Sequence, residues 1–119
     1  MENVTLKVSE LSGVALDWAV AKCQGFTDYD HDTETMLAPR KEYGRVNMDE
    51  YSYSTDWARG GPIIEREKTA IKENGYGHWF AKVGAGKWMH GPTPLVAAMR
   101  CYVISKLGNE VDVPLPLIG

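Results

Sequence analysis

The sequence predicts an α+β fold: a small, mainly antiparallel sheet flanked by two main helices, sandwich-like in outline. Three observations carry that expectation. Apolar residues recur at helical spacing between Ser12 and Gln24, a second helix is sharply marked after Thr93 and Pro94, and alternating residues flank the turn-forming run Asn74-Gly75-Tyr76-Gly77. The 119 residues are one domain's worth, 1–119, and enough to bury a real core. Hydrophobic residues at 44% and charged residues at 24% give the ordinary balance of a globular protein.

Taken in order, Thr5 to Val8 alternates polar and apolar residues and reads as a short strand. The first helix spans about Ser12 to Gln24, with Leu16, Ala19, Val20 and Cys23 on one face, Lys22 in the last turn and Gly25 as the stop. Trp18 lies off that stripe, where an indole covers the edge of a core or lines a cleft. Residues 26–52 read as a long polar loop. Asp28, Asp30 and Asp32 alternate like the opening of a calcium loop, but Thr33 stands where the sharp-turn glycine belongs and Pro39 where the bidentate glutamate belongs. A solvated acidic loop is the better reading. Arg40, Lys41 and Arg45 cluster around Tyr43.

Farther along, a short helix is expected from about Pro62 to Arg66, then strands at Lys68 to Lys72 and Gly77 to Val83. In the second strand Trp79, Ala81 and Val83 share one face and His78, Phe80 and Lys82 the other, so both faces carry an aromatic and a sheet covered on both sides is expected. Gly84-Ala85-Gly86-Lys87 is not a phosphate loop: Ala81 occupies the first glycine position, and Trp88 follows the lysine in place of Ser or Thr. The final helix has Thr93 as cap, Pro94 at its first position, Lys106 near its end and Gly108 as its stop. It is apolar almost all round, which predicts burial on several sides or a homo-oligomer interface. Glu110 to Gly119 is expected to be extended and docked through Val113, Leu115, Leu117 and Ile118.

The segment with the densest chemistry is Tyr51 to Arg66, which holds two Tyr, one Trp, two Arg and a Gly-Gly-Pro. Gly61 followed by Pro62 is a helix-start signal, and the first amides of a helix are unpaired and carry partial positive charge. On that reading Tyr53 and Trp57 stack a flat ring, with Ser54, Thr55 and Asp56 forming the turn between them. Gly60, Gly61 and the amides after them hold phosphate, and Arg59 and Arg66 pair its charge. The plainer reading is a tight turn leading into a short buried helix.

Chemistry beyond binding has little support. His31, His78 and His90 have no ligand spacing, no Gly-x-Ser-x-Gly elbow is present, and the adjacent Ser54, Thr55 and Asp56 do not by adjacency make a nucleophile–base pair. No catalytic residue, metal or cofactor is expected. Cys23 and Cys101 each fall in a predicted helix and read as reduced, buried thiols. The net charge of −3 argues against nucleic acid as a partner, although it leaves room for a locally basic pocket. No leader and no apolar run near about 18 residues is present, so neither secretion nor a membrane span is expected.

Three blocks in order carry a family likeness: Gly13-Val14-Ala15-Leu16-Asp17-Trp18-Ala19-Val20-Ala21-Lys22; Tyr53-Ser54-Thr55-Asp56-Trp57 with Gly60-Gly61-Pro62-Ile63-Ile64-Glu65-Arg66; and Gly91-Pro92-Thr93-Pro94-Leu95-Val96-Ala97-Ala98-Met99-Arg100-Cys101. They resemble the NinX-like family of lambdoid phages, and more loosely the small phage domains described as an α/β sandwich. Thr27 to Asn47 lies outside the likeness. The resemblance implies a phage-encoded protein made in the cytoplasm of a bacterial host; it brings no activity and no catalytic residues. Three functions follow as expectations. The first is a non-catalytic binder of a small anionic, nucleotide-like molecule such as a host defence signal, its pocket completed by a second copy of the chain. The second is an inhibitor or adaptor acting on a host protein, and the third a nucleotide-processing enzyme.

Overall fold

The computed structural model describes residues 2–118. In chain order the elements are β1 (Asn3–Lys7), α1 (Gly13–Cys23), β2 (Thr27–Asp30), β3 (Thr35–Leu37), β4 (Arg45–Asn47), α2 (Trp57–Glu67), β5 (Ala70–Glu73), β6 (Trp79–Lys82), β7 (Met89–Gly91), α3 (Pro94–Leu107) and β8 (Glu110–Pro114). Single 3-10 turns fill Val8–Glu10, Lys41–Tyr43, Met48–Glu50 and Leu115–Leu117. This is an α+β architecture, as expected, but the strands form three small antiparallel sheets, β1-β8, β2-β3-β4 and β5-β6-β7.

The other elements pack around α3. Thr93 Oγ1 accepts the Val96 amide at 3.0 Å, which satisfies one of the unpaired donors of a helix start, and Pro94 follows where its missing N–H costs nothing. Every residue from Leu95 to Val103 is buried. The neighbours that cover them are α1, α2 and the β5-β6-β7 sheet, so the all-round apolar surface is accounted for within one chain. Arg100 is buried among them because its guanidinium donates to two main-chain carbonyls, Leu11 at 2.8 Å and His90 at 3.1 Å. Gly91 lets α3 come this close to β7: a Cβ there would lie 2.6 Å from the Ala97 nitrogen.

Helix α1 runs as expected between Ser12 and Gln24. The tail docks through Val113, as expected, and does so as a strand, with Leu117 half-buried, whereas Leu115 and Ile118 stay exposed. β8 pairs with β1 from Asn3↔Pro114 to Lys7↔Glu110, burying Val111 and Val113. The hairpin around Asn74 forms with Lys72 opposite Phe80 and Glu73 opposite Trp79, and Asn74 Oδ1 accepts the Tyr76 amide at 2.8 Å to hold the turn. Its inner face, with Ala81 fully buried, lies on α3; among the described residues its outer face carries no helix, which corrects the expectation of cover on both sides.

Two further expectations change. Residues 26–52 are a small sheet, not a loop: β3 is the central strand, Met36 is completely buried, and Phe26 anchors the entry to β2. The short Gly-Gly-Pro helix is instead an eleven-residue helix that starts at Trp57. The cause lies at Asp56 and is part of the site geometry.

Candidate functional site

Asp56 has extended backbone, φ −115° and ψ 111°, and its Oδ1 accepts the Ala58 amide at 2.9 Å. A carboxylate at this position satisfies an unpaired donor and meets the positive end of the helix dipole. The helix therefore begins five residues before Pro62, and Gly60, Gly61 and Pro62 lie inside it. The Gly60 amide donates to the Asp56 carbonyl at 2.9 Å, so it is not open to a phosphate. Gly60 is buried for a different reason. A Cβ there would meet the Tyr53 carbonyl at 2.5 Å and Leu95 Cδ1 at 2.6 Å, so glycine is what lets α2 seat against the preceding turn and α3.

The other residues of the expected site separate into three groups. Tyr53 and Ser54 are interior, at 4% and 2% exposure. Burial pushes the Tyr53 phenol up to about 12. Ser54 donates to Asp17 Oδ1 from both its hydroxyl, at 2.7 Å, and its amide, at 2.8 Å. Thr55, Asp56, Trp57 and Arg59 are at the surface, where Trp57 is 54% exposed and the Arg59 guanidinium lies 4.5 Å from the Tyr51 ring centroid. Arg66 follows Arg59 by two helical turns, about 10 Å along the axis. There it donates to Gln24 Oε1 at 2.8 Å, the Tyr102 hydroxyl at 3.1 Å and Glu67 Oε2 at 3.0 Å. The stretch thus supports the fold with its first residues and presents one exposed indole. It does not close around a shared pocket.

A cavity of about 230 Å³ opens beside it, reached from the stretch only through Ser52. One wall is α1, contributing Val14, Asp17 and Trp18; opposite are Tyr29, His31 and Glu34 from β2 and the turn after it. Met48 and Asp49, with Pro116 and Leu117 from the turn after β8, complete the lining. Trp18 therefore takes the cleft-lining role that its place off the α1 stripe allowed. Three carboxylates, Asp17, Glu34 and Asp49, face the cavity, and no lysine or arginine lines it. Burial raises the Asp17 carboxyl above its ordinary range, opposed by the two hydrogen bonds from Ser54. Both of those bonds fall on Oδ1.

The alternating aspartates have a local explanation. Asp30 Oδ1 accepts the Asp32 amide at 2.9 Å, which folds the β2–β3 turn, and Asp28 and Glu34 take left-handed backbone on either side of it, both at φ 54°. Among the described residues no three His, Cys, Asp or Glu side chains come together to hold a metal ion. Cys23 and Cys101 are free thiols, and burial pushes that of Cys23 up to about 11. No helix among the described residues is long and apolar enough to cross a membrane.

Trp18, off the α1 stripe, carries some local signal in the sequence, but the cavity joins residues 14 to 117 and no spacing rule finds such a set. A family model described as "Bacteriophage P22, NinX" matches residues 7–106. No curated protein matches the chain.

Proposed function

The chain belongs to the bacteriophage P22 NinX family, and on that premise we propose that it is a non-catalytic binding protein whose small ligand enters the cavity beside Asp17 and Trp18. The observation that carries this reading is the pairing of acceptors with flat apolar walls. Asp17 keeps an oxygen, Oδ2, that Ser54 does not use, Glu34 and Asp49 add negative charge, and the Trp18 and Tyr29 rings stand in the same lining. Ring faces stack planar groups, and carboxylates accept N–H bonds. The ligand this fits is a small nitrogen heterocycle with N–H donors, neutral or cationic, such as the base end of a nucleotide-like molecule. A phosphate is disfavoured by the three carboxylates. The volume, below the roughly 300–1,000 Å³ of common ligand pockets, suits one ring system with little attached.

Capture is favoured over turnover because the Ser54–Asp17 contact, which has the elements of a nucleophile–base pair, is sealed: Ser54 is 2% exposed and does not line the cavity. A second reading, contact with a host protein, draws on Trp57, an indole 54% exposed on α2.

Thermal-shift titration with adenine, adenosine, AMP, cyclic AMP and ADP-ribose tests the first reading. Adenine or adenosine is expected to raise Tm and AMP to do so less, and Glu34→Gln with Asp49→Asn is expected to narrow that gap. Recovery of intact ligand after heating supports capture. An unmoved Tm across the panel, or AMP stabilising as well as adenosine, sinks the reading. Loss of host-protein inhibition in Trp57→Ala with ligand binding unchanged puts the second reading first.

A further inference from the structure

The outer face of the β5-β6-β7 sheet carries no helix among the described residues. Side chains alternate across a strand, and directly opposed residues share a face. Lys72, Phe80 and His90 are opposed across the three strands, so they form one row on one side. Lys82, two residues on from Phe80, joins that face. Ile71, Ala81 and Met89 form the neighbouring row and point the other way, into the core under α3.

Trp88, 38% exposed, lies over the outer face. Its position is set by two cations: the Lys72 ammonium is 4.2 Å and the Lys82 ammonium 5.0 Å from the ring centroid. His90 is exposed, and Tyr76 stands 88% exposed at the tip of the β5–β6 hairpin. Glu73 lines the shallow groove beside Phe80 and Trp88, but its Oε1 is engaged by the Gly75 amide at 2.8 Å.

We propose that this sheet face is a platform for single-stranded nucleic acid, with Trp88 as its stacking plate and Lys72 and Lys82 as its phosphate contacts. The argument is charge complementarity joined to ring exposure. The chain as a whole carries −3, yet this face holds two lysines against one partly exposed indole. Strand binding without sequence readout needs that pair of features, cations for the backbone and π-faces for the bases. The lysines already held at the indole need only swing to the phosphates on either side of a stacked base. A duplex hides its base faces and offers only charge, so it binds this face less well. The face is separate from the acidic cavity and uses none of its residues.

Fluorescence anisotropy of the full chain with a labelled fifteen-nucleotide oligothymidylate provides the test. Saturable binding that weakens steeply between low and moderate salt is expected. Trp88→Ala is expected to weaken binding by about tenfold or more, the worth of one base stack. Lys72→Gln with Lys82→Gln, both substitutions outside the core, is expected to weaken binding and flatten the salt dependence. A duplex of the same length is expected to bind less well, and free thymidine monophosphate to compete poorly. The proposal is overturned if binding is absent, if both variants bind like the parent chain while circular dichroism shows them folded, or if the duplex or the mononucleotide binds as well as the strand. Loss of a protein partner in the same variants, with oligonucleotide binding absent, assigns the face to protein contact and overturns it equally.

Discussion

Two helix starts in this chain look alike as sequence and differ as structure. At Thr93-Pro94 the proline is the first residue of α3, and at Gly61-Pro62 the proline is the sixth residue of α2. The difference is the side-chain oxygen available. Thr93 supplies one immediately before its proline and bonds the Val96 amide. Gly61 supplies none, and Asp56, farther upstream, bonds Ala58 instead. A proline tolerates a helix start but does not by itself determine where it falls; the acceptor that satisfies the unpaired amides does. The consequence reaches function, because the position of the start decides whether the double glycine offers free amides or spends them inside a helix.

The largest expected effect is at Gly60. Gly60→Ala forces a Cβ against the Tyr53 carbonyl and Leu95, and a loss of about 3 kcal/mol is expected in chemical denaturation. A stable Gly60→Ala variant would mean that α2 is not seated where the comparison needs it. Next comes the proline. Pro62→Ala restores an N–H inside α2 and is expected to stabilise by up to about 2 kcal/mol, whereas Pro94→Ala, at the first position, is expected to change stability by less than about 1 kcal/mol. Equal effects at the two prolines would break the distinction. The caps follow: Thr93→Ala and Asp56→Ala are each expected to cost about 1 kcal/mol. In Asp56→Ala, the amide of Ala58 should also exchange with solvent faster. The smallest effect separates the two glycines. Gly61 has only Trp57 Cε3 nearby, at 3.9 Å from a built Cβ, so Gly61→Ala is expected to stabilise by about 0.5–1 kcal/mol, opposite in sign to its neighbour.

Much of the framework was legible because its signals are local. The Thr93 cap, the Gly108 stop, the α1 stripe and the Asn74 turn each work within a few residues. The β2-β3-β4 sheet was not legible. Its strands are three or four residues long and rich in Asp and Thr, and its turn puts Asp28 and Glu34 into backbone conformations usually left to glycine. β7, three residues long, escaped for the same reason. Of the expected site, Trp57 and Arg59 do reach the surface, but Tyr53 and Ser54 lie inside, where Asp17, 37 residues from Ser54, provides the acceptor that holds Ser54. Such a partner is invisible to any local rule. The cavity and the basic sheet face are products of tertiary pairing for the same reason.

The pairing of β1 with β8 has a further consequence. It joins residues about a hundred apart, and the Leu115 amide also donates to the Glu2 carbonyl at 2.9 Å. Contacts of such high order are expensive in loop entropy and tend to form late. Pro116 and Leu117, which line the cavity, follow directly on that ladder. The pocket is therefore completed only when the chain has been drawn into a ring, and any occupant acts as a clasp that slows the terminal strands from peeling apart. A circular permutant that fuses the ends and opens the exposed turn at Gly75 would turn that clasp into a covalent one.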